Sequence, residues 1–438
     1  MCNMKKIIVL ALASLLTFSA TACSSGNKEA NNGVGNKAES AGQSSAPVKK
    51  VNLKLWTIWP SGDFKPIRDE LVAKWNKDHP DIQVDVESAE NDAYKTKVQT
   101  AAAADGLPDV FFSYGAGFSK PFVDGGKVLA LDEYLKDGTK EKLTAGSLDN
   151  LTYNSKVYGL PYTMWLGTFF VNQELFDKNN IKVPTTYTEL LEAVKAFRAK
   201  GIDPMAVGGK DLWTSEFYHN ILALREGGTK LNNDALRGKA SFEDAAFTKA
   251  AGKLQELAKA DAFMKGYMGL SRDESEAVFL AGKIPMYYNG SWFAKTLDTA
   301  PDVKAKVKVM KFPVIEGAAG NENEWVGGVL DTFMVSSKTK YPEQAVQFLK
   351  YLTENLSSEG YKVGAGLPTW KTKVDESKID PVLKDVLAAF NKSTGVVPLY
   401  DLYLGGKQGE THMNLVAKLL ASKVTPQEFG AQMQALER

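Results

Sequence analysis

Between Val51 and Tyr114 the sequence alternates two hydrophobic periods, and this constrains the fold more than any other feature. In VNLKLWTIW, Val51, Leu53 and Leu55 recur at every second position, the pattern of a strand with one buried face. Residues 65–78 then read as a helix. IQVDVES returns to alternation at Ile82, Val84 and Val86. AYKTKVQTAAAADG reads as a helix closed by Gly106, and PDVFFSY as a strand. Strand, helix, strand, helix, strand predicts an α/β fold with a largely parallel sheet.

A second region, 163–325, continues in the same style. YTELLEAVKAFRAKG places Leu190, Val194 and Phe197 on one helical face, with Gly201 closing the helix. In SRDESEAVFLAGKIPMYYNGSW, Ser271 and Glu274 stand at capping-box spacing. That helix is expected to end near Gly282, a short strand to cover 284–288, and Asn289 with Gly290 to turn the chain. TKYPEQAVQFLKYLTENL starts a helix at Pro342 and lines up Ala345, Leu349, Leu352 and Leu356 on one side. HMNLVAKLLASK and TPQEFGAQMQALER close the chain helically.

The first fifty residues follow neither period. Lys5 and Lys6 precede IIVLALASLL, and small residues follow at 19–22. A basic start, a short apolar core and a small-residue site predict a secretory signal peptide over 1–22. The apolar run falls short of the about 20 residues a spanning helix needs; a retained anchor helix is the alternative. ATAC, ending at Cys23, resembles a bacterial lipobox, with Ala20 where leucine is usual. In such signals the cysteine is lipidated on sulfur and begins the mature chain, and each buried acyl methylene contributes about 0.8 kcal/mol. A secreted protein with a stray thiol is the other reading. Beyond Cys23, Ser, Gly, Asn, Ala and Lys dominate to residue 50, so 23–50 is expected to be a flexible tether that cannot bury enough apolar surface to order.

The chain has 438 residues. Without signal and tether roughly 390 remain, more than one ordinary core accommodates, which favours two lobes. Lys and Arg total 53 against 52 Asp and Glu, a formal charge of +1, arguing against nucleic acid or another polyanion as main partner. The only cysteines are Cys2 and Cys23, so the folded body has no disulfide, thiolate metal site or thiol nucleophile. No later segment reads as membrane-spanning. No GxxxxGK[ST] and no GxSxG occur, DEYLKDG lacks calcium-loop spacing, and His79, His219 and His412 lie far apart outside any HExxH. The inventory points away from catalysis, a cofactor or a metal. Two cleft carboxylates could still make a glycoside hydrolase or lyase, and the sequence singles out no pair.

Aromatic residues gather instead at expected strand ends and turns. They are Trp56 and Trp59 before PSGDF, Tyr114, Trp165 after YGLPYTM, Trp213 in GGKDLW, Trp292 in NGSW, Trp325, Trp370, Tyr400 and Tyr403. Ligands of open α/β sheets bind beyond the carboxyl ends of strands. Sugar rings offer apolar C–H faces for aromatic stacking while Asp, Asn and Glu take their hydroxyls. Any one of these aromatics could be core; the set, with Asp63, Asn289 and Asp331 near it in sequence, favours a ligand cleft.

Four passages resemble the family-1 extracellular solute-binding proteins of ABC importers, the group that includes maltose-binding proteins. They are LPDVFFSYGAGFSKPFVDGGKVLALDEYL, VYGLPYTMWLGTFFVNQELFDKNNIKVPTTYTELLEAVKAF, AVFLAGKIPMYYNGSW and EWVGGVLDTFMVSSKTKYPEQAVQFLKYL. The resemblance implies a two-lobe periplasmic-binding-protein-like α/β fold with a hinge and an interlobe ligand cleft. It places 51–162 with 327–385 in the N-terminal lobe and 163–326 with 386–438 in the C-terminal lobe. It also implies a monomeric lipoprotein on the extracytoplasmic face of the cell membrane, held to the bilayer through Cys23. An oligosaccharide would be its ligand and ABC permease subunits its partners. By correspondence, Trp292 in NGSW and Trp213 in GGKDLW, a ligand-facing strand end, are the foremost stacking candidates. Trp59 and Asp63 in WTIWPSGD follow, then Tyr114, Trp165, Asn289, Asp331 and Tyr403. SYGAGF departs from the family's usual Trp- or Asp-containing loop, and 371–394 matches poorly.

Overall fold

The computed structural model describes residues 50–436. The signal peptide, Cys23 and nearly all of the tether lie outside the described residues.

The alternating N-terminal segments build a five-stranded sheet. Its spatial order is Ile82–Ser88, Val51–Thr57, Val110–Tyr114, Asp331–Val335, Gly159–Pro161. The first three strands are parallel, as the strand–helix alternation requires. Gly159–Pro161 runs the same way, and Asp331–Val335, between it and Val110–Tyr114, is reversed, so the sheet is largely parallel as expected, with one antiparallel strand. The reversed strand is the one that brings the chain back from the second sheet rather than crossing over through a helix. Val51, Leu53 and Leu55 are buried while Asn52 and Lys54 face solvent. Helix Phe64–Asp78 covers the sheet with Leu71, Val72 and Trp75, and packs on helix Pro342–Lys362. In the latter, Ala345, Leu349, Leu352 and Leu356 are fully buried behind Pro342 in its first turn.

A second, six-stranded sheet is ordered Gly395–Val397, Glu324–Gly328, Trp165–Asn172, Met286–Gly290, Met205–Ala206, with Val307–Met310 also paired to Trp165–Asn172. Every residue of Trp165–Asn172 is buried. A strand covered on both faces shows no alternation, which is why it does not stand out in the sequence. Helix Tyr187–Ala199 buries Leu190, Val194 and Phe197, with Thr186 capping it by accepting from the Glu189 amide. Helix Arg272–Leu280 opens on a complete capping box of Ser271 and Glu274. Helix Leu212–Leu236 packs on strand Glu324–Gly328 and on helix Gly406–Leu420. Helix Pro381–Phe390 packs on strand Val307–Met310.

One local expectation changes. Asn289 and Gly290 do not turn the chain; they finish strand Met286–Gly290, opposite Thr168 and Gly167. The Asn289 side chain points into the protein, and a Cβ at Gly290 would sit 2.1 Å from the Trp292 ring. This glycine lets Trp292 fold back over the strand.

The chain passes from the first sheet to the second at 162–164 and returns at 329–330. It leaves again between helices Pro342–Lys362 and Pro381–Phe390. These passages are tied together: Met164 bridges Leu367, and the Trp370 indole donates to the Pro161 carbonyl at 2.7 Å.

Candidate ligand cleft

A cavity of about 500 Å³ lies between the sheets and is lined from both. On the first-sheet side, Trp59 follows strand Val51–Thr57, Tyr114 ends strand Val110–Tyr114, and Tyr162 follows strand Gly159–Pro161. Asp331 opens the antiparallel strand paired to Tyr114, so all four share one edge of the sheet. That edge holds the carboxyl ends of the parallel strands, where open α/β sheets bind ligands. Trp59 stacks on Phe64 (ring centroids 5.1 Å apart, planes at 21°) and meets Tyr162 edge-on at 5.2 Å.

The opposite wall is a second aromatic group. Trp165 begins its strand and stacks on Phe217 at 5.6 Å, planes 11° apart. Trp292 meets Trp165 edge-on at 5.2 Å and Trp213 at 6.2 Å. Trp165 and Phe217 are buried, whereas Trp213 and Trp292 are half-buried at the cavity surface. The buried pair backs the two half-buried indoles. Trp213 lies in the first turn of helix Leu212–Leu236, not at a strand end.

Polar groups are set among these rings. Asp63 lies just before helix Phe64–Asp78 and accepts from the Thr296 hydroxyl of the opposite wall at 3.4 Å; burial raises its carboxyl above the ordinary range. Tyr162 donates its hydroxyl to Asp331 Oδ2 at 3.1 Å, and Asp331 Oδ1 has no protein partner. Burial pushes Asp331 up to about 7 against the relief of that bond and of Lys95. Lys95 Nζ is 3.7 Å from Asp401 Oδ2, and Asp401 Oδ1 has no hydrogen-bond partner. Asp401 is also pushed up to about 7, by burial and by Glu216. Glu276 stands at about 7 through burial, eased by Arg272, whose Nε is 3.7 Å away. The Trp292 indole N–H has no protein acceptor.

Trp59, Asp63, Tyr114, Trp165, Trp213, Trp292 and Asp331 therefore line one cavity. Asn289 stands behind the wall, donating to Glu276 Oε1 at 2.9 Å. Tyr403 lies outside the lining, though Asp401 and Leu402 beside it belong to it. Trp325, Trp370 and Tyr400 are buried away from the cavity. The sequence reading did not single out Lys95, Tyr162, Phe217, Arg272, Glu276 or Asp401. The capping box at Ser271, which fixes the helix carrying Arg272 and Glu276, was the nearest available signal. His412 lies 3.1 Å from Glu216 Oε1 behind the cavity and is held neutral, its ionisation lowered to about 3 by burial. Among the described residues, no helix is long and apolar enough to cross a membrane. None of their His, Cys, Asp and Glu side chains form a group of three or more able to hold a metal ion.

The profile of the family described as bacterial extracellular solute-binding protein matches residues 61–355. The chain belongs to this family. It is a two-lobed extracytoplasmic binding protein. This solute-binding protein is similar to a solved structure described under xylan utilization by the thermophilic bacterium Caldanaerobius polysaccharolyticus. The two are 45% identical, with a TM-score of 0.85, over 88% of this chain and 99% of that one. A chitin oligosaccharide binding protein matches with a TM-score of 0.81 at 24% identity, over 88% of this chain and 98% of that one, a likeness of fold. The multiple sugar-binding protein of Streptococcus mutans is 24% identical over 383 residues, 86% of this chain and 85% of the relative.

Proposed function

We propose that this protein captures an oligosaccharide in the cleft and delivers it to the permease subunits of an ABC importer, and that the glycan derives from xylan. One observation carries the reading: two aromatic walls face each other across a cavity that also holds buried polar atoms without protein partners. Flat rings suit the C–H faces of sugars, and unpaired acceptors suit their hydroxyls. The sugar-binding names among its relatives and the 45% identical structure from xylan utilization support the choice of ligand.

In this reading Trp213 and Trp292 stack on sugar rings against the backing of Trp165. Trp59 and Tyr114 shape the opposite wall. Asp63 and Asp331 accept hydrogen bonds from sugar hydroxyls, and Asn289 holds Glu276 in place. The lobes follow the expected division, 51–162 with 327–385 and 163–326 with 386–438, except that strand Glu324–Gly328 and helix Pro381–Phe390 go whole to the second lobe, against whose sheet they pack. They close by bending at the passages near 162–164 and 329–330, and the ligand favours closure by touching both. The monomer is exported, lipidated on Cys23 and held off the membrane by the tether.

Titration of intrinsic tryptophan fluorescence with xylo-oligosaccharides, malto-oligosaccharides and amino acids tests this. Saturation by xylo-oligosaccharides, recovered intact, is the expected result. A response to amino acids alone would overturn the glycan, and silence to all of them in ligand-free, folded protein would overturn the reading.

A further inference from the structure

The charges around the cleft are lopsided. Asp63, Glu90, Asp273, Glu276, Asp331 and Asp401 line it, against Lys95 and Arg272. Both cations are already engaged. Lys95 lies 3.7 Å from Asp401 and 3.9 Å from Asp92. Arg272 donates to Asp273 at 2.8 and 2.5 Å and lies 3.7 Å from Glu276. Each lining cation thus already stands beside two carboxylates, and an incoming anion would have to compete with them for charge-assisted contact. The unsatisfied groups point the same way. Asp401 is 5% exposed, and one of its oxygens, like one of Asp331's, lacks a protein donor. These oxygens call for O–H donors, which a sugar hydroxyl supplies and a carboxylate does not.

We propose that the cleft selects neutral oligosaccharides and rejects those carrying a uronic acid, with Asp331 and Asp401 as the discriminating residues. This rests on the glycan reading above and sharpens it: of the fragments a decorated xylan yields, the protein takes the uncharged ones. A uronate brought between the walls would meet six acidic side chains against two cations in a water-poor space, where like charges repel far more than in bulk water.

Calorimetry on the full-length protein at pH 8 separates charge from shape. Three probes are needed: a linear xylo-oligosaccharide, the same chain bearing one glucuronic acid branch, and the methyl ester of that branched sugar. The expected order is that the ester binds at least roughly tenfold more tightly than the acid. Equal affinity of acid and ester overturns the proposal, and so does equal loss of both, which would assign rejection to shape. If no probe binds, the glycan reading itself falls, a result distinct from either. The variants Asp331→Asn and Asp401→Asn are expected to narrow the acid–ester gap even where overall affinity drops. A gap unchanged in both removes these residues from the discrimination.

Discussion

Lys95 and Asp401 lie 3.7 Å apart and come from opposite walls of the cleft. Lys95 stands on helix Asn91–Ala103, whose neighbour strands belong to the first sheet, and Asp401 on helix Tyr400–Leu404, packed on helix Leu212–Leu236 of the second. The lysine is the cation that eases three buried carboxyls, Asp331, Asp401 and Glu216. Two of these lie on its partner's side, so its stabilising effect there exists only while the walls are together. Lys95→Met keeps the aliphatic stem and removes the charge. We expect glycan affinity to fall by roughly tenfold or more, since breaking a buried pair leaves its partner uncompensated. Calorimetry checks this, and an unchanged Kd would remove the pair from the liganded state.

The walls also meet through backbone. Phe118 donates its amide to the Leu402 carbonyl at 3.2 Å, and a Cβ at Gly117 would lie 2.0 Å from the Tyr403 carbonyl oxygen. Backbone atoms cannot rotate away as a side chain can. Gly117→Ala is therefore expected to block this approach while leaving each lobe's core intact. Affinity should drop severalfold or more, the melting temperature of the free protein should move by no more than the equivalent of about 1 kcal/mol, and ligand should no longer compact the protein in small-angle scattering. Normal compaction on ligand addition would refute it.

Trp292 and Trp370 are both tryptophans in loops, and the structure assigns them opposite fates. Trp292 is half-buried on the cavity wall with its N–H unpaired; Trp370 is 1% exposed with its N–H bonded to Pro161. Trp292→Ala should cost about 2 kcal/mol of glycan binding, roughly thirtyfold, with little change in melting. Trp370→Phe should lower the melting temperature through a lost buried hydrogen bond worth about 1 kcal/mol and leave Kd within a factor of two or so. Calorimetry and thermal melts on both variants decide whether the assignments are reversed.

The contrast shows where the sequence is legible. Strand period, the Ser271 capping box and the helical face of Leu190, Val194 and Phe197 are local, and local patterns survive in one dimension. Tryptophan is rare enough that its clustering near turns drew attention to Trp213 and Trp292, yet nothing local separates Trp292 from Trp370. Lys95, Glu276 and Asp401 are one charge each among 53 basic and 52 acidic residues. Their meaning comes from what the fold sets opposite them, across more than 300 positions for Lys95 and Asp401. Asn289 and Gly290 mislead in the other direction. The pair is a strong turn signal, but an inward hydrogen bond to Glu276 and the overlying Trp292 ring hold it in the strand.

The lipobox reading makes Cys23 the attachment point. Cys23→Ser removes the thiol that would carry lipid while leaving the folded body untouched. The variant expressed in a bacterial host is expected to move from the membrane fraction to the soluble extracytoplasmic fraction and to lose incorporation of labelled palmitate, with glycan affinity unchanged. Membrane association that survives the substitution would favour a retained anchor helix.

Asp331 sets stability against binding. Its carboxyl stands at about 7 in the folded protein against an ordinary 3.8, because burial disfavours the charge. The folded state thus holds this proton more tightly than the unfolded chain, so the group's contribution to stability is greatest below the ordinary value and is lost as pH rises through the folded one. Asn mimics the neutral form. Asp331→Asn should melt close to the parent at pH 4 and above it at pH 8, by on the order of 3 kcal/mol, the gap opening between those values. Binding should respond oppositely. The unpartnered oxygen of the ionised carboxylate is a stronger acceptor for a sugar hydroxyl than an amide oxygen, so glycan affinity at pH 8 should fall by about 1.5–3 kcal/mol. Melts across that pH range with calorimetry at pH 8 test both halves, and a variant less stable than the parent at pH 8 would show that the buried charge is better compensated than its surroundings indicate.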